Sequence, residues 1–234
     1  MSVFVEAQKA MHQTHRIAVG GAVDADAHIL EPPDLWENYI DPKYRDRALR
    51  IRIDENGLEE LEINGQRSTM SRRGMPSTLG AMGYPDLAAL QRDPERTYLR
   101  EAPYGTMHAG ERIDVLDAEN IDIAILYTTV GLLWEAELKD PELCQAYTRA
   151  YNRWICEFAA DQPRLVPTAH LSLSDPAAAA VEMRRAVEDG AKGAYVCPFA
   201  HDAKPLGHPD HDIVFATAQD LDIPFAIHPT FEPQ

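Results

Sequence analysis

Three features of the sequence predict a parallel α/β fold of the (β/α)8 barrel type. From Gly110 onward, apolar runs of strand length alternate with amphipathic segments of helix length. The residues best suited to metal chemistry stand at the C-terminal ends of the first and last strands, where a barrel of this kind places its site. No strand is followed by the glycine-rich turn that holds a dinucleotide, which disfavours the open doubly wound sheet that five strands would also allow.

The first 20 or so residues are a polar leader, with a helix around Val5 to His12 and two histidines, His12 and His15, that read as exposed tail residues. Gly20 and Gly21 break the chain before Val23-Asp-Ala-Asp-Ala-His28, in which polar and apolar residues alternate. Strand side chains alternate between faces, so Asp24, Asp26 and His28 are expected on one face and Ala25, Ala27 and Ile29 on the other. The body of the fold is expected over 21–234, with a long insertion over about 37–110. Inside the insertion, 49–53 and 58–63 flank Asp54-Glu-Asn-Gly57, a hairpin signal. A loop-rich stretch follows, with one short helix near Asp86 to Arg92. Compact domains seldom carry idle long loops, so this excursion is expected to line or cover a site.

The regular part begins with a helix near Glu111 to Asn120 and the apolar run 121–127, which suits a strand buried on both faces. Asp140-Pro141 has the cap and first-turn signature of a helix, and Leu143, Tyr147, Tyr151, Trp154, Ile155 and Phe158 then recur at helical spacing. A strand over 165–173 leads to Ser174-Asp-Pro176, which caps a helix closed by Gly190. Strands over 191–197 and 224–228 bracket a helix over 210–220.

The 45% hydrophobic content supports a sizeable core. The net charge of −16 argues against a nucleic-acid or anionic-membrane surface. No apolar run approaches the roughly 20 residues of a membrane span, and the N-terminus lacks the apolar segment and cleavage site of a signal peptide. Cys144, Cys156 and Cys197 have no metal-type spacing, and the first two read as core thiols. A cytoplasmic protein is expected.

Asp26-x-His28 taken alone is a weak metal signal. His228 strengthens it, because it occupies the same strand-end position and would meet the pair only if the strands curl into a barrel. Aspartate and imidazole suit one divalent ion, zinc or manganese, and three protein ligands leave positions open for water and substrate. Asp24, one pleat deeper, is expected to hydrogen-bond within the barrel. Tyr127 and Thr129 after the second strand, His170 within the third, and Cys197, Phe199 and His201 after the fourth are either pocket-lining or packing residues. His208 and His211 flank a helix start and are expected to be exposed, and His108 is undecided. Arg72 and Arg73 read as solvated loop residues, or as partners for an acidic substrate.

The segments DADAHILEPPDLW, RIDVLDAENIDIAILY, LVPTAHLSLSDPAAA and PFAIHPT, in that order, resemble the amidohydrolase-2 family of metal enzymes, from about Val23 to the last residue. Its members include aminocarboxymuconate-semialdehyde decarboxylase and the resorcylate-type decarboxylases. The resemblance implies a distorted (β/α)8 barrel with one divalent metal. Asp26 and His28 match the ligand pair of strand one, with Asp in place of His or Glu, and His228 matches the ligand ending strand five. The family's further histidine on strand six and aspartate on strand eight have no counterpart in these 234 residues, so acid–base residues are expected outside them. The implied activity is metal-dependent chemistry on a small aromatic or unsaturated carboxylic acid. Decarboxylation is preferred, with hydrolysis of C–N, C–O or C–C bonds on the same site as the alternative. A non-catalytic subunit supporting a catalytic partner is a third reading. Against that family pattern the chain is an incomplete (β/α)8 TIM-like barrel, strands one to five with a long hairpin-containing insertion after strand one, and five strands of eight leave raw edges and uncovered apolar surface. The expected partners are therefore the carboxylate substrate and a complementing chain or second copy.

Overall fold

The computed structural model describes residues 16–81, 87–199 and 204–231. The leader helix with His12 and His15, and also His201, lie outside the described residues. Five parallel strands form a curled sheet: β1 (Val23–His28), β5 (Ile123–Tyr127), β6 (Leu165–Leu171), β7 (Gly193–Val196) and β8 (Phe225–Ile227), paired in that order. Each strand lies beside its predecessor in the regular part of the chain, which is the winding of a (β/α)8 barrel. The fold is an incomplete barrel of that type. Apolar residues on the helix-covered face, among them Ala124, Leu126, Ala169, Leu171, Ala194 and Val196, are 0–1% exposed.

The helices form where caps and periodicity place them. Asp140 caps α5 (Pro141–Ala159) by accepting from the Leu143 N–H at 3.3 Å. Its Leu143, Tyr147, Tyr151 and Ile155 are all but fully buried. Asp175 caps α6 (Pro176–Glu188) in the same way, from Ala178 at 3.0 Å. Gly190, φ +120°, takes the chain out of that helix. Before β5, α4 (Ala109–Glu119) ends on Asn120 in the left-handed region. Before β8, α7 (Asp212–Asp220) packs against α6, and Phe215 meets Phe225 edge-on at 5.3 Å.

The insertion opens with α1 (Leu35–Tyr39), which packs on α5; Arg149 and Arg153 of α5 both pair with Asp41, at 2.7 and 2.9 Å. The expected hairpin forms, with β2 (Arg50–Ile53) antiparallel to β3 (Glu59–Ile63). Its turn is held by Asp54, whose carboxylate accepts from the backbone of Asn56 and Leu58 at 2.8 and 2.9 Å. A second tight turn follows, with Asn64 and Gly65 both at positive φ, and adds β4 (Gln66–Arg67) to the sheet. That Asn-Gly carries the same hairpin signal as the first, so β4 was readable from the sequence. The short helices α2 (Leu87–Leu90) and α3 (Tyr98–Glu101) complete the insertion. Tyr98 fastens it to the barrel by donating its hydroxyl to the Glu31 carbonyl at 2.8 Å.

Two expectations are corrected. Strand β1 is bulged between Asp24 and Ala27, with one residue more than β5 opposite. The extra residue reverses side-chain parity. Asp24 therefore pairs with Ala124 rather than sharing the face of His28, and its carboxylate turns to Arg112 of α4 at 3.8 Å instead of bonding inside the barrel. His211 is 1% exposed rather than solvated, because it tucks under the start of α7 and its Nδ1 meets the Leu206 carbonyl at 3.1 Å. No helix among the described residues is long and apolar enough to cross a membrane.

Candidate metal centre

Asp26 and His28 leave the end of β1 on the inner face, and His228 follows β8 directly. The curl of the sheet brings the two edge strands together. His228 Nε2 lies 3.2 Å from Asp26 Oδ1 and 3.2 Å from His28 Nε2, and His28 Nε2 lies 3.7 Å from Asp26 Oδ1. The three candidate ligand atoms are all within 4.8 Å of one another.

The protons decide what this cluster can do. His28 Nδ1 is 2.6 Å from the Thr128 carbonyl, and His228 Nδ1 is 2.7 Å from the Pro229 carbonyl. A carbonyl oxygen only accepts, so both Nδ1 atoms carry hydrogen, and in the neutral rings both Nε2 atoms present lone pairs. Burial holds the His28 imidazole below its usual range, with the neighbouring His228 acting in the same direction. Two imidazole lone pairs and a carboxylate oxygen thus converge with no hydrogen among them. That donor set fits a divalent cation, with Asp, His and His as ligands and carbonyls fixing each tautomer from behind.

Tyr127 forms one wall, its ring 5.2 Å from that of His228 and 6.4 Å from that of His28. Thr129 Oγ1 bonds the Ile29 carbonyl at 2.6 Å and lies 3.4 Å from His28 Nδ1. His170 is wholly buried, its ring stacked on Tyr195 at 4.7 Å and its Nε2 3.0 Å from Glu135 Oε2. Cys197 is buried against the same carboxylate, so Glu135, His170 and Cys197 form a second donor cluster beneath the first. Phe199 is partly buried beyond β7. Arg73 pairs with Asp54 and Glu55 of its own hairpin at 3.4 and 3.0 Å, while Arg72 is exposed. His108 stands exposed at the start of α4 without capping it.

Two acidic residues escape sequence reasoning. Glu135 sits in an irregular loop with no periodicity to mark it. Glu31 lies in the Glu-Pro-Pro break after β1 and reads as a solvated loop residue, yet it is 0% exposed.

A family model described as Amidohydrolase matches residues 23–234. Among solved structures, an amidohydrolase from Mycobacterium avium subsp. paratuberculosis K-10 superposes with a TM-score of 0.70 at 24% identity, over 94% of this chain and 60% of that one. A 5-carboxyvanillate decarboxylase from Novosphingobium aromaticivorans DSM 12444, complexed with manganese and 4-hydroxy-3-methoxy-5-nitrobenzoic acid, gives 0.56 at 20% identity over 95% and 55%. The 5-carboxyvanillate decarboxylase of Sphingomonas paucimobilis gives 0.53 at 16% over 89% and 51%. These three establish a shared fold. The chain spans 60%, 55% and 51% of their respective lengths.

Proposed function

This chain belongs to the amidohydrolase family, and on that premise we propose that it carries the metal-binding part of an enzyme acting on a small aromatic or unsaturated carboxylic acid, with decarboxylation as the reaction. The observation that carries the reading is the convergence of the Asp26 carboxylate with the Nε2 lone pairs of His28 and His228. Asp26, His28 and His228 would hold a divalent ion, manganese or zinc, which would supply Lewis acidity toward a carboxylic acid substrate.

The chain's own residues do the rest of the work on this side of the site. A divalent ion held by two imidazole nitrogens and one carboxylate would leave net positive charge at the site to attract an anionic substrate. Tyr127 offers an aromatic edge against which a planar ring can lie. Asp26, with its side chain 72% exposed, marks the open side from which substrate enters. None of the three ligand groups carries a hydrogen into the site, so the proton that replaces the carboxylate must come from another group. This reading assigns it to a further barrel segment, supplied by a complementing chain or a second copy. Supporting that assignment, β1 and β8 are sheet edges, and Val23 and Ile227 on them are 52% and 53% exposed.

Carbon dioxide release from hydroxybenzoates, measured with manganese and with zinc, tests the reaction. Release that disappears in His228→Ala is expected. Hydrolysis of amides, lactones or C–C bonds without such release overturns the decarboxylase reading in favour of the hydrolase. Metal content and activity that survive both Asp26→Ala and His28→Ala would leave only a supporting, non-catalytic role. A compact, cooperative, metal-binding monomer in sedimentation and melting experiments would rule out the complementing chain.

A further inference from the structure

Directly behind the metal centre is a buried anion. Glu31 is fully buried, three residues after His28. Its Oε1 accepts from the Thr128 hydroxyl, from the Thr129 N–H at 3.1 Å and from the Gly131 N–H at 3.0 Å, and its Oε2 accepts from the Val130 N–H at 2.9 Å. Three consecutive backbone N–H groups of one turn thus converge on one carboxylate, an arrangement that binds anions in many unrelated loops. Gly131 fits the same design: a Cβ there would lie 2.2 Å from Thr128 Oγ1, so only glycine lets the turn close on the carboxylate.

The turn that Glu31 grips is the one that holds His28. The Thr128 carbonyl accepts from His28 Nδ1 at 2.6 Å. A carboxylate can serve four donors at once, and a primary amide in its place cannot, because one of its two ends is itself a donor. We propose that Glu31 is a positioning residue for the metal centre: its carboxylate locks the 128–131 turn, so that the Thr128 carbonyl keeps the His28 ring in the Nδ1–H tautomer with Nε2 aimed at Asp26 and His228. The inference rests on the metal-binding reading above for its functional consequence, though not for its geometry. A metal-ligating imidazole is ordinarily fixed through its second nitrogen, and here the fixing group is in turn fixed by a buried charge.

The test uses the purified protein, metal-free, at pH 8. Long-range proton–nitrogen NMR correlations of the imidazole rings report which nitrogen of His28 carries hydrogen. Wild type should show the Nδ1–H form alone. Glu31→Gln should show a mixture of both tautomers and weaken Mn2+ binding, measured calorimetrically, by roughly 10–100-fold, the range seen for outer partners of metal ligands. Thr128→Val, which removes one cage donor and leaves the backbone intact, should shift both readouts in the same direction and by less, and it decides the matter if Glu31→Gln does not fold. A His28 spectrum unchanged in the folded variants overturns the proposal. Failure of the wild type to bind Mn2+, with the tautomer still shifting in the variants, upholds the positioning role and refutes the metal-binding reading.

Discussion

The inner face of the sheet carries two clusters of metal-ligating residue types, and they do opposite things with their protons. In Asp26, His28 and His228 the hydrogens of both rings point outward to the carbonyls of Thr128 and Pro229, and bare lone pairs meet in the middle. In Glu135, His170 and Cys197 the hydrogens point inward. Burial pushes the Cys197 thiol well above its usual range, so it remains an S–H. That thiol, His170 Nε2 and the Ser172 hydroxyl all serve the Glu135 carboxylate and hold its pKa below the usual range despite complete burial. The first arrangement suits a cation, whereas in the second the carboxylate is already served by hydrogen-bond donors. The close approach of ligand-capable atoms, within 4.8 Å in both clusters, does not distinguish a metal site from a buried polar knot. The positions of the hydrogens do, and those are set by backbone carbonyls one layer further out.

The largest effect that would sharpen this contrast is on metal affinity. Replacing His28 or His228 by alanine should abolish Mn2+ or Zn2+ binding in calorimetric titrations, a loss beyond the roughly 10–100-fold typical of outer partners. Glu135→Gln should leave binding within about threefold of wild type. A Glu135 variant that loses metal as completely as a His28 variant would collapse the distinction.

The second effect runs the other way, on stability. Glu135→Ala strands the donors of His170, Cys197 and Ser172 in the core and should cost about 3 kcal/mol or more in denaturant unfolding, since each buried donor left unsatisfied costs about 1–3 kcal/mol. Cys197→Ser keeps a donor of similar reach and should cost about 1 kcal/mol or less. Asp26→Ala, at an exposed side chain, should change unfolding free energy by no more than about 0.5 kcal/mol. Had the knot been a metal site, apo and metal-loaded protein would differ in the size of the Glu135→Ala effect; equal effects are expected.

How much of this was readable from residues follows the same division. The strand-and-helix order and the caps at Asp140 and Asp175 were legible because each is a local signal: apolar run length, periodicity, a cap residue before proline. The approach of His228 to His28 was legible at one remove, since strand-end residues converge only in a curled sheet. The bulge in β1 was not. The alternation of Val23 to His28 is perfect in sequence, and the extra residue exists only relative to β5. The pairing that exposes it is a tertiary fact, and it sends Asp24 to Arg112. Glu135 was invisible for a related reason: its partners come from β6 and from the residue after β7, and nothing in the loop that carries it anticipates them.

The smallest effect concerns Glu31, which separates positioning from stability. Burial pushes its carboxyl from about 4.5 up to about 7, and the N–H groups of residues 129–131 keep it from rising further. The folded chain therefore binds more protons at this site than the unfolded chain between those two values. Stability contributed by the group is fully present below about 4.5 and is lost as pH rises through about 7. At neutral pH and above, the ionised carboxylate is thus a cost to the fold, even while its shape holds the turn behind His28. Glu31→Gln removes the titration, and the slope of unfolding free energy against pH across this window should become less negative than in wild type, measured by urea titrations at a series of pH values. A variant that instead keeps the wild-type slope would mean that the anion is not desolvated as its surroundings imply. The contrast with Glu135 would then be lost: that carboxylate is compensated by side-chain donors and contributes to stability as pH rises, whereas Glu31, held by three backbone N–H groups and the Thr128 hydroxyl, is kept charged at the expense of the fold.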